Sequence, residues 1–158
     1  MTPERFHHIM TPVFAKLEGR ALDQALGNEL NTAFPVGGKI VTAIEAACHA
    51  AIEAGWMCDQ GGAGRRFGRV VQPTADSHDL SVDVVDLTDI VGPHHIHPTG
   101  EICLTLPVTL GATFDGAGAG WSINEPGSGH FPTVTGGRAL VLYLLPGGEI
   151  EFTGKAPD

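Results

Sequence analysis

The stretch GPHHIHPTGEICLTLP, Gly92 to Pro107, sets three histidines and a glutamate within eight positions and then runs into an apolar segment. In an extended chain side chains alternate, so His95 and His97 project to one side and His94 to the other. Glu101 returns to the side of His95 and His97 after the Pro98-Thr99-Gly100 bend. The pattern HxHxxxE therefore offers two imidazoles and a carboxylate to one point, a donor set that suits Fe, Mn, Ni, Cu or Zn. His94 reads as a surface residue.

A second stretch, GWSINEPGSGH from Gly120 to His130, reads as a strand, a Pro/Gly turn and a histidine entering the next strand. Across the interior of a closed barrel, His130 faces the first three groups. His95, His97, Glu101 and His130 are thus the predicted ligands of one divalent transition metal, and the same four form the predicted catalytic centre.

The surrounding chain falls into two parts. From about residue 66 short runs rich in Val, Ile, Leu and Thr alternate with Gly, Pro, Asp and Asn. They are Phe67–Gln72, Leu80–Leu87, Glu101–Leu106, Ala112–Phe114, Trp121–Ile123, Thr133–Thr135, Ala139–Leu145 and Glu149–Phe152. Regular short strands of this kind predict an antiparallel sandwich or barrel, and the lack of strand–helix–strand alternation argues against a parallel α/β fold. The first sixty residues are instead helical. Phe6, Ile9, Met10, Val13, Phe14 and Leu17 mark one helical face, with Thr2 as N-cap, Pro3 in the first turn, and a kink or break at Pro12. A second stripe runs through Leu22, Ala25, Leu26 and Leu30. A third helix starts from a capping box at Thr42-Ala-Ile-Glu45 and stops at Gly55. The predicted organisation is a helical region over 1–60, packed on a β-domain over 61–158.

Composition narrows the partners. The chain has 158 residues and a formal net charge of −9, which speaks against nucleic acid or an anionic membrane. There is no apolar run of membrane-spanning length and no signal-peptide pattern, so the expected location is the cytoplasm. Cys48, Cys58 and Cys103 are widely spaced and read as buried reduced thiols. The glycine-rich Gly61–Gly68 lacks the ending of a phosphate loop and leads into a strand, so it reads as a hairpin or loop. No motif for nicotinamide or flavin is present.

Together, HxHxxxE and Gly120-x5-Pro126 with His130 resemble the two motifs of the cupin superfamily. The position six before HxH, glycine in that pattern, is Asp89 here. The resemblance implies a cupin-type antiparallel β-barrel, jelly-roll-like, with the metal inside. A narrower resemblance spans nearly the whole chain. FGRVVQP, SVDVVDLTDIVGPHHIHPTGEI and PTVTGGRALVLYLLPGG are similar to the family of 4-hydroxylaminobenzoate lyases and their relatives. That family implies conversion of 4-hydroxylaminobenzoate to 3,4-dihydroxybenzoate with release of ammonia, in nitroaromatic breakdown.

Such a small aromatic carboxylate needs a cationic partner, ideally a guanidinium. Arg69 is the first candidate because it lies in a strand-like segment, whereas Arg65 and Arg66 fall in an expected loop; Arg138 is the second. Trp121 and Phe131 could sandwich the ring, although core packing is the ordinary role of both. Two other readings share the ligand set: an Fe(II) dioxygenase acting on an aromatic acid, and a non-catalytic aromatic-acid-binding protein. A homo-oligomer, most simply a dimer, is expected, with ALVLYLLPGG and the helical arm as candidate interfaces.

Overall fold

The computed structural model describes residues 1–158. Three helices come first, α1 (Pro3–Leu17), α2 (Gln24–Ala33) and α3 (Lys39–Ala54). Ten strands follow: β1 (Gln60–Gly62), β2 (Arg65–Val71), β3 (Leu80–Val91), β4 (His95–His97), β5 (Glu101–Pro107), β6 (Thr113–Phe114), β7 (Gly120–Asn124), β8 (Ser128–His130), β9 (Thr133–Pro146) and β10 (Glu151–Phe152). No helix is long and apolar enough to cross a membrane.

The helix boundaries follow local chemistry, with two departures from the sequence reading. Thr2 Oγ1 accepts the Arg5 N–H and Pro3 opens α1 as predicted. Pro12, however, lies inside one unbroken helix. Its missing N–H costs less than separating the buried face of Phe6, Met10, Val13, Phe14 and Leu17. The capping box at Thr42 does not form, because α3 begins earlier, at Lys39, with Gly38 as N-cap. The Thr42 N–H is already bonded to the Gly38 carbonyl within the helix. Gly55 ends α3 in the left-handed conformation, as read.

All strand pairs are antiparallel, and they form two separate sheets. The larger has the order β1-β2-β3-β9-β5-β7, with β6 also on β9; the smaller is β10-β4-β8. The arrangement is mainly β and jelly-roll-like, but the sheets do not close into the predicted barrel, since β1 and β7 remain edges. Short β4 and β8, absent from the strand reading, hold three of the four predicted ligands. Thr133–Thr135 and Ala139–Leu145, read as two strands, are one long β9.

Alternation along the central strands divides the interior. Val82, Val84, Ile102, Leu104, Leu106, Leu140, Leu142 and Leu144 face the helices and join their apolar faces in one cluster. Val85, Leu87, Cys103, Val141, Tyr143 and Leu145 belong to a second cluster on the other face. A strand covered on both sides has no polar face to show, which is why ALVLYLL is continuously apolar. That segment lies between β3 and β5 inside the chain, so it is core and not a dimer interface.

Two polar devices complete the frame. On edge strand β7 the Asn31 side chain donates to the Trp121 carbonyl and accepts the Trp121 N–H, both at 2.9 Å. A helix side chain thereby occupies backbone groups that another strand could otherwise pair. Gly120 is required there: a Cβ would come within 2.9 Å of Asn31 Oδ1, and its φ is +127°. In β3, Asp89 has φ +44° where the ladder with β9 slips register, and its carboxylate accepts the Gly137 N–H at 3.0 Å. Aspartate tolerates this left-handed conformation better than most residues. The backbone at the motif's usual glycine position is therefore one that favours glycine.

Leu142→Ala should destabilise the protein by about 2–5 kcal/mol, because Leu142 is fully buried between helices and sheet. Chemical denaturation reads this directly, and an unchanged midpoint would contradict the two-sided burial of β9.

Candidate metal centre

Four donor atoms converge between the sheets, from His95, His97, Glu101 and His130, all within 4.8 Å of one another. The route differs from the predicted one. His130 does not reach across an interior: β4 and β8 are adjacent, and His95 and His130 are register partners. The group that crosses is Glu101, which starts β5 in the larger sheet. His97 Nε2 lies 3.3 Å from Glu101 Oε1, His95 Nε2 lies 3.3 Å from Glu101 Oε2, and the Nε2 atoms of His95 and His130 are 3.0 Å apart.

These three distances match a shared ion, and His130 Nε2 lies slightly farther from Glu101 Oε1, at 3.6 Å. Donors about 2.1 Å from one metal sit about 3.0–3.4 Å from each other in octahedral or tetrahedral geometry. Two atoms of the set, His97 Nε2 and Glu101 Oε2, are buried without any hydrogen-bond partner. Buried polar atoms are rarely left so, because each costs roughly 1–3 kcal/mol when unpaired. A cation at the focus would satisfy both.

The surroundings set the tautomers. Ser128 Oγ donates to the Glu125 carbonyl at 2.5 Å, so it receives the proton of His97 Nδ1 at 3.2 Å. Asp115 Oδ2 accepts from His130 Nδ1 at 2.5 Å, while Asp115 Oδ1 accepts the Thr133 N–H at 2.9 Å. With Nδ1 protonated in both rings, each Nε2 keeps its lone pair for a metal. Glu101 Oε1 accepts from Asn124 Nδ2 at 2.9 Å and from the Cys103 thiol at 3.0 Å. Burial alone raises the Glu101 carboxyl, but the His95 and His97 imidazoles and the Cys103 thiol beside it outweigh burial and hold the group well below the usual carboxylate range. All three cysteines are free and buried, and burial pushes the Cys48 and Cys58 thiols up to about 12.

Beside the centre lies a cavity of about 300 Å³, lined by His95 and Tyr143 together with Arg65, Phe67, Arg69 and Phe152. Of the four clustered residues only His95 lines it. Arg69 faces this space, but its guanidinium holds Asp83 at 2.7 and 3.3 Å and the Gly148 carbonyl at 3.0 Å. Arg65 is in β2 and not in a loop, because β1 pairs back on it as a hairpin. It consequently shares the face of Phe67 and Arg69. Its guanidinium lies over the Phe67 ring at 4.4 Å and forms no ion pair.

The other candidates lie elsewhere. Arg138 shares the helix-facing side with Leu140 and Leu142, and its guanidinium is paired with Asp86 at 2.8 and 2.9 Å. Trp121 is in the helix-facing core, where its indole N–H donates to the Phe34 carbonyl at 3.0 Å. Alternation places both on the face opposite the cavity. Phe131 packs on His94, whose Nδ1 meets Thr153 Oγ1 at 2.7 Å. Sequence reasoning missed Asp115, Asn124, Ser128, Cys103 and Tyr143. Asn124 and Ser128 lie within the second motif; Asp115, in a Asp-Gly turn, carries no signal beyond that turn.

Asp115→Asn removes the acceptor that fixes His130, so metal affinity should fall roughly 10–100-fold. Titration with zinc against a competing chelator measures this, and an unchanged affinity would show that Asp115 does not orient the ligand.

Comparison with known proteins supplies the family. The family model for 4-hydroxylaminobenzoate lyase matches residues 8–152. A 4-hydroxylaminobenzoate lyase of Nocardioides sp. (strain LMS-CY) is 27% identical over 99% of this chain and 98% of its own. Another from Pseudomonas putida is 29% identical over 66% of this chain and 69% of its own. Among solved structures, an oxalate oxidase in complex with the substrate analogue glycolate is 18% identical, covering 60% of this chain and 57% of that one, with a TM-score of 0.42. The match over most of its length establishes that this chain belongs to the 4-hydroxylaminobenzoate lyase family.

Proposed function

We propose that this protein is a metal-dependent lyase that converts 4-hydroxylaminobenzoate, or a closely related hydroxylamino-aromatic acid, to 3,4-dihydroxybenzoate and ammonia. The observation that carries the proposal is one cavity lined both by His95 of the metal cluster and by two arginines. Its volume, about 300 Å³, is within the range of small-ligand sites. Aromatic and aliphatic walls from Phe67, Val85, Leu87 and Phe152 suit a benzene ring.

His95, His97, Glu101 and His130 would hold the ion, one of Fe, Mn, Ni, Cu or Zn. When bound, the metal supplies Lewis acidity toward the hydroxylamine oxygen. Substrate plus one water gives product plus ammonia, and the electrons balance. The N–O bond breaks with its electron pair on the departing oxygen, which takes a proton and leaves as water. The ring is left two electrons short. A water adds to the ring carbon next to the one that bears nitrogen and returns that proton, and another water hydrolyses the imine to free ammonia. Nitrogen gains the two electrons that the ring loses, so neither nicotinamide nor flavin is required.

At the other end, Arg65 and Arg69 are the partners of the substrate carboxylate. Arg69 is held rigidly by Asp83 and serves as a fixed positive wall, while Arg65, free of any ion pair, supplies the open fork. The buried reduced thiols fit a cytoplasmic protein. A homodimer is the expected assembly, supported by exposed Val36, Val108 and Leu110 around one shallow apolar depression.

The deciding assay supplies 4-hydroxylaminobenzoate without oxygen and follows ammonia and 3,4-dihydroxybenzoate. Stoichiometric release of both supports the lyase; a requirement for oxygen would instead mark a dioxygenase, and tight binding without turnover a binding protein. Chelation to a metal-free state should abolish turnover, with recovery on adding metal back. Arg65→Gln should raise KM about tenfold or more with little change in kcat, the signature of binding lost equally from ground and transition states. An unchanged KM removes Arg65 from the site.

A further inference from the structure

The chain contains one tyrosine, Tyr143, and it sits on central strand β9 in the row of Cys103 and Asp83. Its side chain lines the cavity, its ring centroid is 5.9 Å from that of His95 and 6.1 Å from that of Phe114. Only 4% of the residue is exposed, and its hydroxyl is buried with no hydrogen-bond partner. Leaving a phenol unpaired in an apolar wall is unfavourable, and phenylalanine fills the same space without that cost.

Nearby, His95 Nδ1 is likewise buried without a hydrogen-bond partner and does not bond the hydroxyl, while the other polar groups are engaged. The Cys103 thiol donates to Glu101, and Asp83 accepts from Arg69. No protein atom completes the hydroxyl, so its partner comes from the cavity. We infer that Tyr143 is a catalytic residue: its O–H donates a hydrogen bond to the hydroxylamino group para to the substrate carboxylate, at the oxygen that departs. This rests on the lyase reading above. As negative charge gathers on that oxygen during N–O cleavage, a fixed donor in a water-poor wall stabilises the transition state more than the ground state. The rigid strand holds it in place, and burial on both faces of β9 leaves it little freedom to seek another partner.

The test uses the full chain as isolated, with two inert probes, benzoate and 4-hydroxybenzoate, and the variant Tyr143→Phe. Calorimetric titration should show that the wild type favours 4-hydroxybenzoate over benzoate by about five- to tenfold, a preference of hydrogen-bond size. Tyr143→Phe should lose that preference while binding benzoate as before. In turnover, kcat for 4-hydroxylaminobenzoate should fall about 10²-fold, as when one transition-state donor is removed. The melting temperature should hold or rise, because the variant removes an unpaired buried hydroxyl; a purely structural tyrosine predicts the opposite. Retention of the para-hydroxyl preference by Tyr143→Phe overturns the inference. If the wild type releases no ammonia yet the two probes still separate the variants, the lyase reading fails and the Tyr143 contact stands.

Discussion

Glu101 is a carboxylate with no exposed surface, set between two sheets. An isolated charge in that position costs several kcal/mol, and the surroundings must return it through hydrogen bonds, opposite charge or an ion. Asn124, Cys103, His95 and His97 each direct a polar group at it, yet one of its oxygens remains without a hydrogen bond. A cation shared with three imidazoles would complete that balance. The two sheets meet at this point: the smaller one carries the histidines and the larger one carries the glutamate.

The larger sheet can offer that carboxylate because its other face is fully covered. Helices α1 and α3 and the apolar side of α2 close one side of β3, β9 and β5, so the strands are anchored by burial before the site is considered. Alternation then gives the opposite face a free choice of residue at every second position. That face carries Glu101, Cys103 and Tyr143, together with an aliphatic lining. Polar edges are handled locally, by Asn31 on β7 and by the Asp115 turn beside β8. The same chain segments thus supply the core on one face and the candidate site on the other.

How much could be read in advance differs by element. The helices and most strands were legible because their apolar periods, 3.6 and 2, are local properties. The clustered His/Glu donor set was legible because HxHxxxE has a fixed local geometry and because His130 follows a recognisable turn. The pairing of β4 with β8 was not, since strands of three residues carry no periodic signal. The face of Arg138 depends on which side of β9 meets the helices, and the position of Arg65 depends on a three-residue partner strand. Trp121 illustrates the same limit: its residue type suited a ring-binding role, while its strand register assigned it to the core.

By itself, then, the sequence determined the mainly β class, the helical lead-in and the identity of a buried His/Glu donor set, because each rests on residues close together in the chain. The tertiary structure alone decided that His130 lies beside His95 instead of opposite it, that Asp115 and Ser128 fix the ring tautomers, and that Arg65 and Tyr143 line one cavity with His95 of the candidate centre. Those relations join positions far apart in the chain. They are set by strand order and register, where a shift of one residue turns every side chain to the other face.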